Sequence, residues 1–302
     1  MKLIIIQLIV LLGLCGQVFA QDQVHVITKK IHKDFVYHEG YEVNIDGDRA
    51  EVHIQPSLEN KILIDIEIIA KNPAQEEAKA DVEKMISIVK RLKNKIYIRN
   101  YLDTEDLPRP TSQIKVIYNI TVPAVCPVYA KISYGLADFA ELTNSLRVNS
   151  KFSQVNLNKI SGSVDLSSQF GDIIGQTING NVTIGSRRTN ITLKDIQGNF
   201  DIDATYGMIQ IYADAGLLDL NLNAEKSQVL LFNSDLQNFR YDLTTVSSPM
   251  QYPDELDFEL KQPELNMQRV SYTPTTEFFP NITVKVTFGS LQIEKASKVR
   301  RP

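Results

Sequence analysis

The sequence predicts an all-β protein, a parallel β-solenoid with rungs of about 18 residues, N-terminal strands and one amphipathic helix as a cap. Three observations predict it. Residues 133–204 divide into four copies of one 18-residue unit, SYGLADFAELTNSLRVNS, KFSQVNLNKISGSVDLSS, QFGDIIGQTINGNVTIGS and RRTNITLKDIQGNFDIDA, with looser copies starting at Thr205 and Glu225. A short, uninterrupted period means that the chain stacks on itself. Apolar residues fill unit positions 5, 7, 10, 14 and 16, with only Gly175 and Asp214 breaking the columns. Alternation at 5–7 and 14–16 implies two short strands per unit. Position 12 reads Asn144, Gly162, Gly180, Gly198, Gly216, a column that favours positive φ. An antiparallel meander with one hairpin per unit has the same period. The solenoid is the expectation because columns 7 and 10 differ by an odd step, so the chain must bend between them to keep both inside.

The elements follow in order. Residues 1–20 read as a signal peptide: Lys2, an apolar run from Leu3 to Leu14, and Val18-Phe19-Ala20 before the cleavage point at Gln21. The run is too short for a good membrane span. The expectation is therefore export, to the periplasm or the extracellular cell surface, with nothing spanning the membrane after cleavage. Residues 21–132 form a β-rich region. Tyr41–Ile45 and Ala50–Ile54 alternate around an Asp46-Gly47 turn, and Ile62, Ile64, Ile66 and Ile68 share one strand face. Asn72-Pro73 opens a helix over 74–93, Asn72 as N-cap, with Ala74, Ala78, Val82, Met85, Ile86, Val89 and Leu92 in one stripe. Lys95–Asn100 and Ile114–Val122 are further strands. Residues 133–245 are the repeats. Residues 246–302 hold a Pro- and Ser-rich excursion and a final rung, because Thr287-Phe288-Gly289 repeats Thr205-Tyr206-Gly207. An open stack exposes unpaired backbone, so both flanking regions are expected to cover its ends.

The aromatic-Gly units Tyr134-Gly135, Phe170-Gly171, Tyr206-Gly207 and Phe288-Gly289, the Ser-Gly and Asn-Gly turns between them, and a strand closing on Val122-Pro123-Ala124 together resemble the bacterial putative-adhesin domain of unknown function. This β-strand-repeat family is related to autotransporter-head GIN domains. The resemblance implies a right-handed β-helix-like fold in a cell-envelope protein and supplies no catalytic residues. Lys151-Phe152-Ser153 and Arg187-Arg188-Thr189 depart from it by lacking the glycine.

Composition excludes several classes. The net charge of −4 gives no basic footprint for nucleic acid. The two cysteines are Cys15, inside the leader, and Cys126, which reads as a small buried hydrophobe. No phosphate loop, nucleophile elbow, zinc spacing or calcium loop is present in the sequence, and no cofactor or metal is implied. The histidines His25, His32, His38 and His53 read as surface strand residues.

Two outward columns are the candidate ligand-binding residues. Position 15 reads Arg147, Asp165, Thr183, Asp201, Asp219, and Asp165 and Asp201 are two rungs apart. Such carboxylates read first as a solvated face, and otherwise as a cation or ligand site or a glycosidase pair. Position 2 carries Tyr134, Phe152, Phe170, Arg188 and Tyr206, where Tyr134, Phe170 and Tyr206 either bind sugar rings or pack as a corner ladder. The expected function is a non-enzymatic binding or scaffold protein, its partner an envelope protein or a glycan. The alternatives are a polysaccharide-acting enzyme and a lipid or small-molecule carrier.

Overall fold

The computed structural model of the protein describes residues 24–103, 108–261, 265–276 and 278–296. The expected signal peptide, its expected cleavage point and Cys15 lie outside these residues. The side chain of Asp214 lies outside the described side chains. Among the described residues the fold is all-β with one α-helix, and the pairings join nineteen strands into a single mixed sheet.

The N-terminal strands are β1 (His25–Val36), β2 (Glu42–Asp48), β3 (Ala50–Ser57) and β4 (Lys61–Asn72). Helix α1 (Gln75–Lys84) follows, then β5 (Met85–Leu92), β6 (Lys95–Leu102) and β7 (Gln113–Pro123). The helix is half as long as its stripe suggests. Met85–Leu92 is a strand paired antiparallel to β6 across the Lys93-Asn94 turn, where Lys93 has a φ of 55°. Ile86, Ile88 and Val89 are β-branched, and a partner strand two residues away outweighs their helical spacing. Asn72 is not the N-cap: its Oδ1 accepts from the Ala74 N–H at 2.9 Å, a local turn that precedes the helix. Ala78 and Val82 are buried where α1 rests on β1 and β4, so the helix does cover sheet. The Asp46-Gly47 turn is also absent. Gly47 lies within β2, and the chain turns instead at Arg49, with a φ of 51°.

The repeats form β8 (Val128–Ser133), β9 (Leu136–Ala140), β10 (Ser145–Lys151), β11 (Gln154–Thr205), β12 (Met208–Glu225) and β13 (Gln228–Asn233). Their pairings are parallel at a step of 18: Leu146 lies beside Val164, Val155 beside Ala137 and Ile191 beside Ile209. Side chains repeat the step, as in the 2.9 Å bonds of Ser150 to Ser168 and Thr177 to Asp195. From Ala137 to Ile202 every residue at positions 5, 7, 10, 14 and 16 is buried. Gly175 is no defect. A Cβ there would meet Ile178 Cδ1 at 2.5 Å and Leu193 Cδ2 at 2.7 Å, so neighbouring side chains fill its place.

The step changes once. Ile191 pairs with Ile209, but Asp201 pairs with Asn221 and Ile202 with Leu222, a step of 20. Two extra residues are absorbed in β12 between Tyr212 and Asp219, opposite Lys194–Asn199, where the register shifts. Leu220 and Leu222 therefore take the inward positions, and Leu218, expected inside, is 62% exposed.

The last strands are β14 (Arg240–Val246), β15 (Met250–Gln251), β16 (Glu259–Leu260), β17 (Met267–Tyr272), β18 (Asn281–Thr287) and β19 (Ser290–Lys295). The final rung is not the outermost one. Strand β18 lies between β12 and β14, and β19 between β13 and β15, parallel to each. The other end shows the same device: β2 lies between β6 and β8, and β3 between β7 and β9. Antiparallel pairs finish both ends, β4 with β1 and β7, β5 with β6, and β17 with β14 and β16. The parallel pairing of the repeats thus does not extend to the whole sheet. Antiparallel strands at the ends leave less open parallel backbone.

Candidate functional site: the corner column

The position-2 residues sit at a sharp corner between the two strands of each unit. Tyr134, Phe152, Phe170, Arg188, Tyr206, Lys226 and Phe288 have φ between 49° and 59°, and Arg49 joins them at 51°. This left-handed conformation costs an L-residue about 1–2 kcal/mol, and Gly or Asn adopts it most cheaply. The corners stack because each corner N–H donates to the carbonyl before the next corner: Arg49 to Ser133 (2.8 Å), Tyr134 to Lys151 (3.0 Å), Phe152 to Gln169 (2.8 Å), Tyr206 to Glu225 (3.1 Å) and Lys226 to Thr287 (2.7 Å).

The glycine that follows the aromatic residue has a different task. A Cβ on Gly171 would lie 2.0 Å from the Ser153 carbonyl oxygen, and one on Gly207 would lie 2.1 Å from that of Thr189. Position 3 therefore alternates: Gly135, Ser153, Gly171, Thr189, Gly207, Ser227. The hydroxyl residues are buried, and the Oγ of Ser153 accepts from the Gly135 N–H at 3.1 Å while donating to the Lys151 carbonyl at 2.8 Å. The missing glycines at Ser153 and Thr189 are thus the complementary half of one packing pattern.

Side chains on the corners form a continuous outward column. Tyr134 stacks on Phe152 at 5.0 Å and 2°, and Phe152 on Phe170 at 4.7 Å and 7°. Arg188 lies over Phe170 and Tyr206 at 5.4 and 5.8 Å, and Lys226 over Tyr206 at 5.1 Å while donating to its hydroxyl at 2.9 Å. Ring pairs contribute about 0.5–1.5 kcal/mol and exposed cation–π contacts about 0.5–1 kcal/mol. These offset the backbone cost of the corners. The faces of Phe152 and Phe170 are occupied within the stack, and their edges meet solvent. Ring edges carry the positive end of the quadrupole, and no Asp or Glu occurs among these eight residues, so the column attracts negative charge.

Of the predicted residues, Tyr134, Phe170 and Tyr206 stand together in this column. The carboxylates do not form one set. Asp165 faces outward in an ion pair with Arg147 at 3.3 Å, and Asp201 accepts from Asn221 Nδ2 at 3.0 Å. Asp219 leaves the position-15 column because of the register change; it lies beside Asn281 and lines a cleft with Arg240 and Asp242. Sequence reasoning missed Arg49 and Lys226 as column members, whereas it aligned Phe288 with Tyr206 in a final rung. The signal for Phe288 was its Phe-Gly pair; Arg49 and Lys226 have no flanking glycine.

His32 contacts Asp65 at 2.6 Å and His53 contacts Asp138 at 2.8 Å, both on the outward face. Among the described residues, no group of three or more His, Cys, Asp or Glu side chains is placed to hold a metal ion. No helix of the described residues is long and apolar enough to cross a membrane. Cys126 is buried, and burial pushes its thiol up to about 12.

Neither a family model nor a curated protein matches this chain. Among solved structures it is similar to a putative cell adhesion protein from Clostridium sporogenes, with 12% identity, 89% of this chain and 100% of that one covered, and a TM-score of 0.28. It is also similar to a putative adhesin from Bacteroides fragilis, with 12% identity, coverage of 88% and 97%, and a TM-score of 0.35. Both scores are low, and the reading of this protein rests on its own residues.

Proposed function

We propose that the chain is an exported, non-enzymatic binding or scaffold protein of the bacterial cell envelope, adhesin-like in kind. In this reading it is a parallel β-solenoid that presents its corner column to an envelope protein or a glycan. The observation that carries the reading is the filling of exposed left-handed corners with Tyr, Phe, Arg and Lys, where Gly or Asn costs less. Tyr134 and Phe288 are each 59% exposed, so these large side chains are on the surface and not in the core. The leader at 1–20 supports export, and the resemblance in the aromatic-Gly units supports the envelope.

The other readings find less support. A carrier needs an internal cavity, and the space between the two strand columns is filled by side chains such as Ile173, Ile178 and Leu193, all fully buried. A glycosidase needs two carboxylates converging on one groove. Asp165 and Asp201 lie instead two strands apart on an outward strand face, with Thr183 between them.

The test is an array of glycans and purified envelope or matrix proteins, probed with the chain from Gln21. Binding of at least one ligand is expected, weakened tenfold or more by the paired change Phe170→Ala, Tyr206→Ala. An array with no ligand of any class removes the support for a binding role.

A further inference from the structure

We propose that the cleft at the N-terminal end of the corner column binds an acidic sugar unit, a pyranose ring carrying a carboxylate. The proposal rests on the binding reading and names the ligand class for one place in the column.

The cleft encloses about 540 Å³ and is lined by Arg49, Glu51, Lys71, Gln113, Lys115 and Tyr134. Three observations specify its occupant. First, Tyr134 ends the ring stack. Phe152 covers one face, and no ring or cation among the described residues covers the other. An open ring face in a cleft takes the C–H face of a flat, partly apolar ligand. Second, the charge is unbalanced among the described residues. Lys115 is held by Glu51 at 2.6 Å, whereas Arg49 and Lys71 have no ion-pair partner among the described residues. Two free cations beside one ring, in a chain of net charge −4, mark an anion position, and a guanidinium grips a carboxylate with two parallel bonds. Third, Gln113 and Glu51 place an amide and a carboxylate on the same walls. A polyhydroxylated ring uses both donors and acceptors, while inorganic phosphate has no ring to lay on Tyr134.

Stacked nucleobases fit the column poorly. Single-stranded nucleic acid needs successive open ring faces, and Phe152 and Phe170 have none.

The test is NMR titration of the chain from Gln21 with galacturonate, galactose, acetate and AMP. Galacturonate is expected to bind at least tenfold more tightly than the other three. Tyr134→Leu and Lys71→Gln should each weaken it fivefold or more while the thermal midpoint stays at the wild-type value. Equal binding of acetate or AMP overturns the assignment, as does full galacturonate affinity in folded Tyr134→Leu, or no galacturonate binding. If galacturonate fails while the array finds a ligand insensitive to Tyr134→Leu, this site falls and the binding role stands. If neither finds a ligand, both fall.

Discussion

Replacing Gly171 by Ala tests the close approach on which the corner depends. The new Cβ would lie 2.0 Å from the Ser153 carbonyl oxygen and 2.9 Å from its carbon. Carbon–oxygen contacts settle near 3.3 Å, so the two backbones must part by about 1.3 Å. Neither atom can swing away, because both belong to backbone held in the stack. A displacement of that size breaks the ladder bonds on either side, each contributing about 1 kcal/mol net, and loosens Ile173, which is fully buried two residues on. The expected loss is about 3 kcal/mol. Gly185 provides the control: it is exposed, a Cβ there meets nothing within 4 Å, and Gly185→Ala should be neutral or stabilising by up to about 1 kcal/mol. Urea unfolding followed by far-ultraviolet circular dichroism reads both midpoints. Equal midpoints for Gly171→Ala and Gly185→Ala would mean that position 3 does not admit the neighbouring carbonyl.

Two further outcomes are expected. Leu220→Ala should cost about 3 kcal/mol, because Leu220 is fully buried, while Leu218→Lys should stay within about 0.5 kcal/mol, because Leu218 points outward; the reverse order in urea midpoints would restore the uniform 18-residue register. Asp81 gives a pH dependence. Burial pushes its carboxyl up, but the 2.8 Å bond from Lys84, the bonds from Ser112 and the Lys84 charge outweigh burial and hold it at about 2, below its ordinary 3.8. A depressed native value means stability present above pH 4 and lost as pH falls towards 2, by about 2 kcal/mol. Asp81→Asn should lower the urea midpoint at pH 7 and flatten the decline between pH 4 and 2; an unchanged slope contradicts the assignment.

Much of the repeat region was legible because burial imposes one rule at every unit. Ile173, Ile191 and Ile209 share a column only if the chain returns to the same place, and the period says so directly. The backbone conformation of the corner was not legible, for a physical reason. Glycine next to an aromatic suggests that glycine supplies the left-handed residue, whereas here the aromatic takes that conformation and the glycine makes room for a carbonyl. Position 12 behaved as read at Gly162, Gly180 and Gly198, which do have positive φ. The shift from a step of 18 to one of 20 escaped notice because Leu217, Leu218, Leu220 and Leu222 fit either register. Met85–Leu92 satisfies the helical and the strand period together, and only its partner β6 decides. The interleaved ends have no local signal, since parallel partners such as Val43 and Val128 are far apart in sequence. Among the site residues, Tyr134, Phe170 and Tyr206 were visible through their glycines. Asp219 was misplaced by the same register change that exposed Leu218.

Successive repeats lie side by side at a step of 18 from Ser133 to Tyr206, and the stacked part of the corner column, Tyr134 to Tyr206, exists only on that condition. A designed crosslink measures it. Ser150 and Ser168 are buried register partners with hydroxyl oxygens 2.9 Å apart, close enough for a disulfide after Ser150→Cys and Ser168→Cys. Cys126 will not interfere, because its thiol is buried and pushed up to about 12. In the chain from Gln21, mild oxidation of the folded protein should close this bridge within one molecule, and the neighbouring pair Ser150→Cys, Ser167→Cys should remain reduced. A bridge in the second pair but not in the first, or none in either, would contradict the stacking.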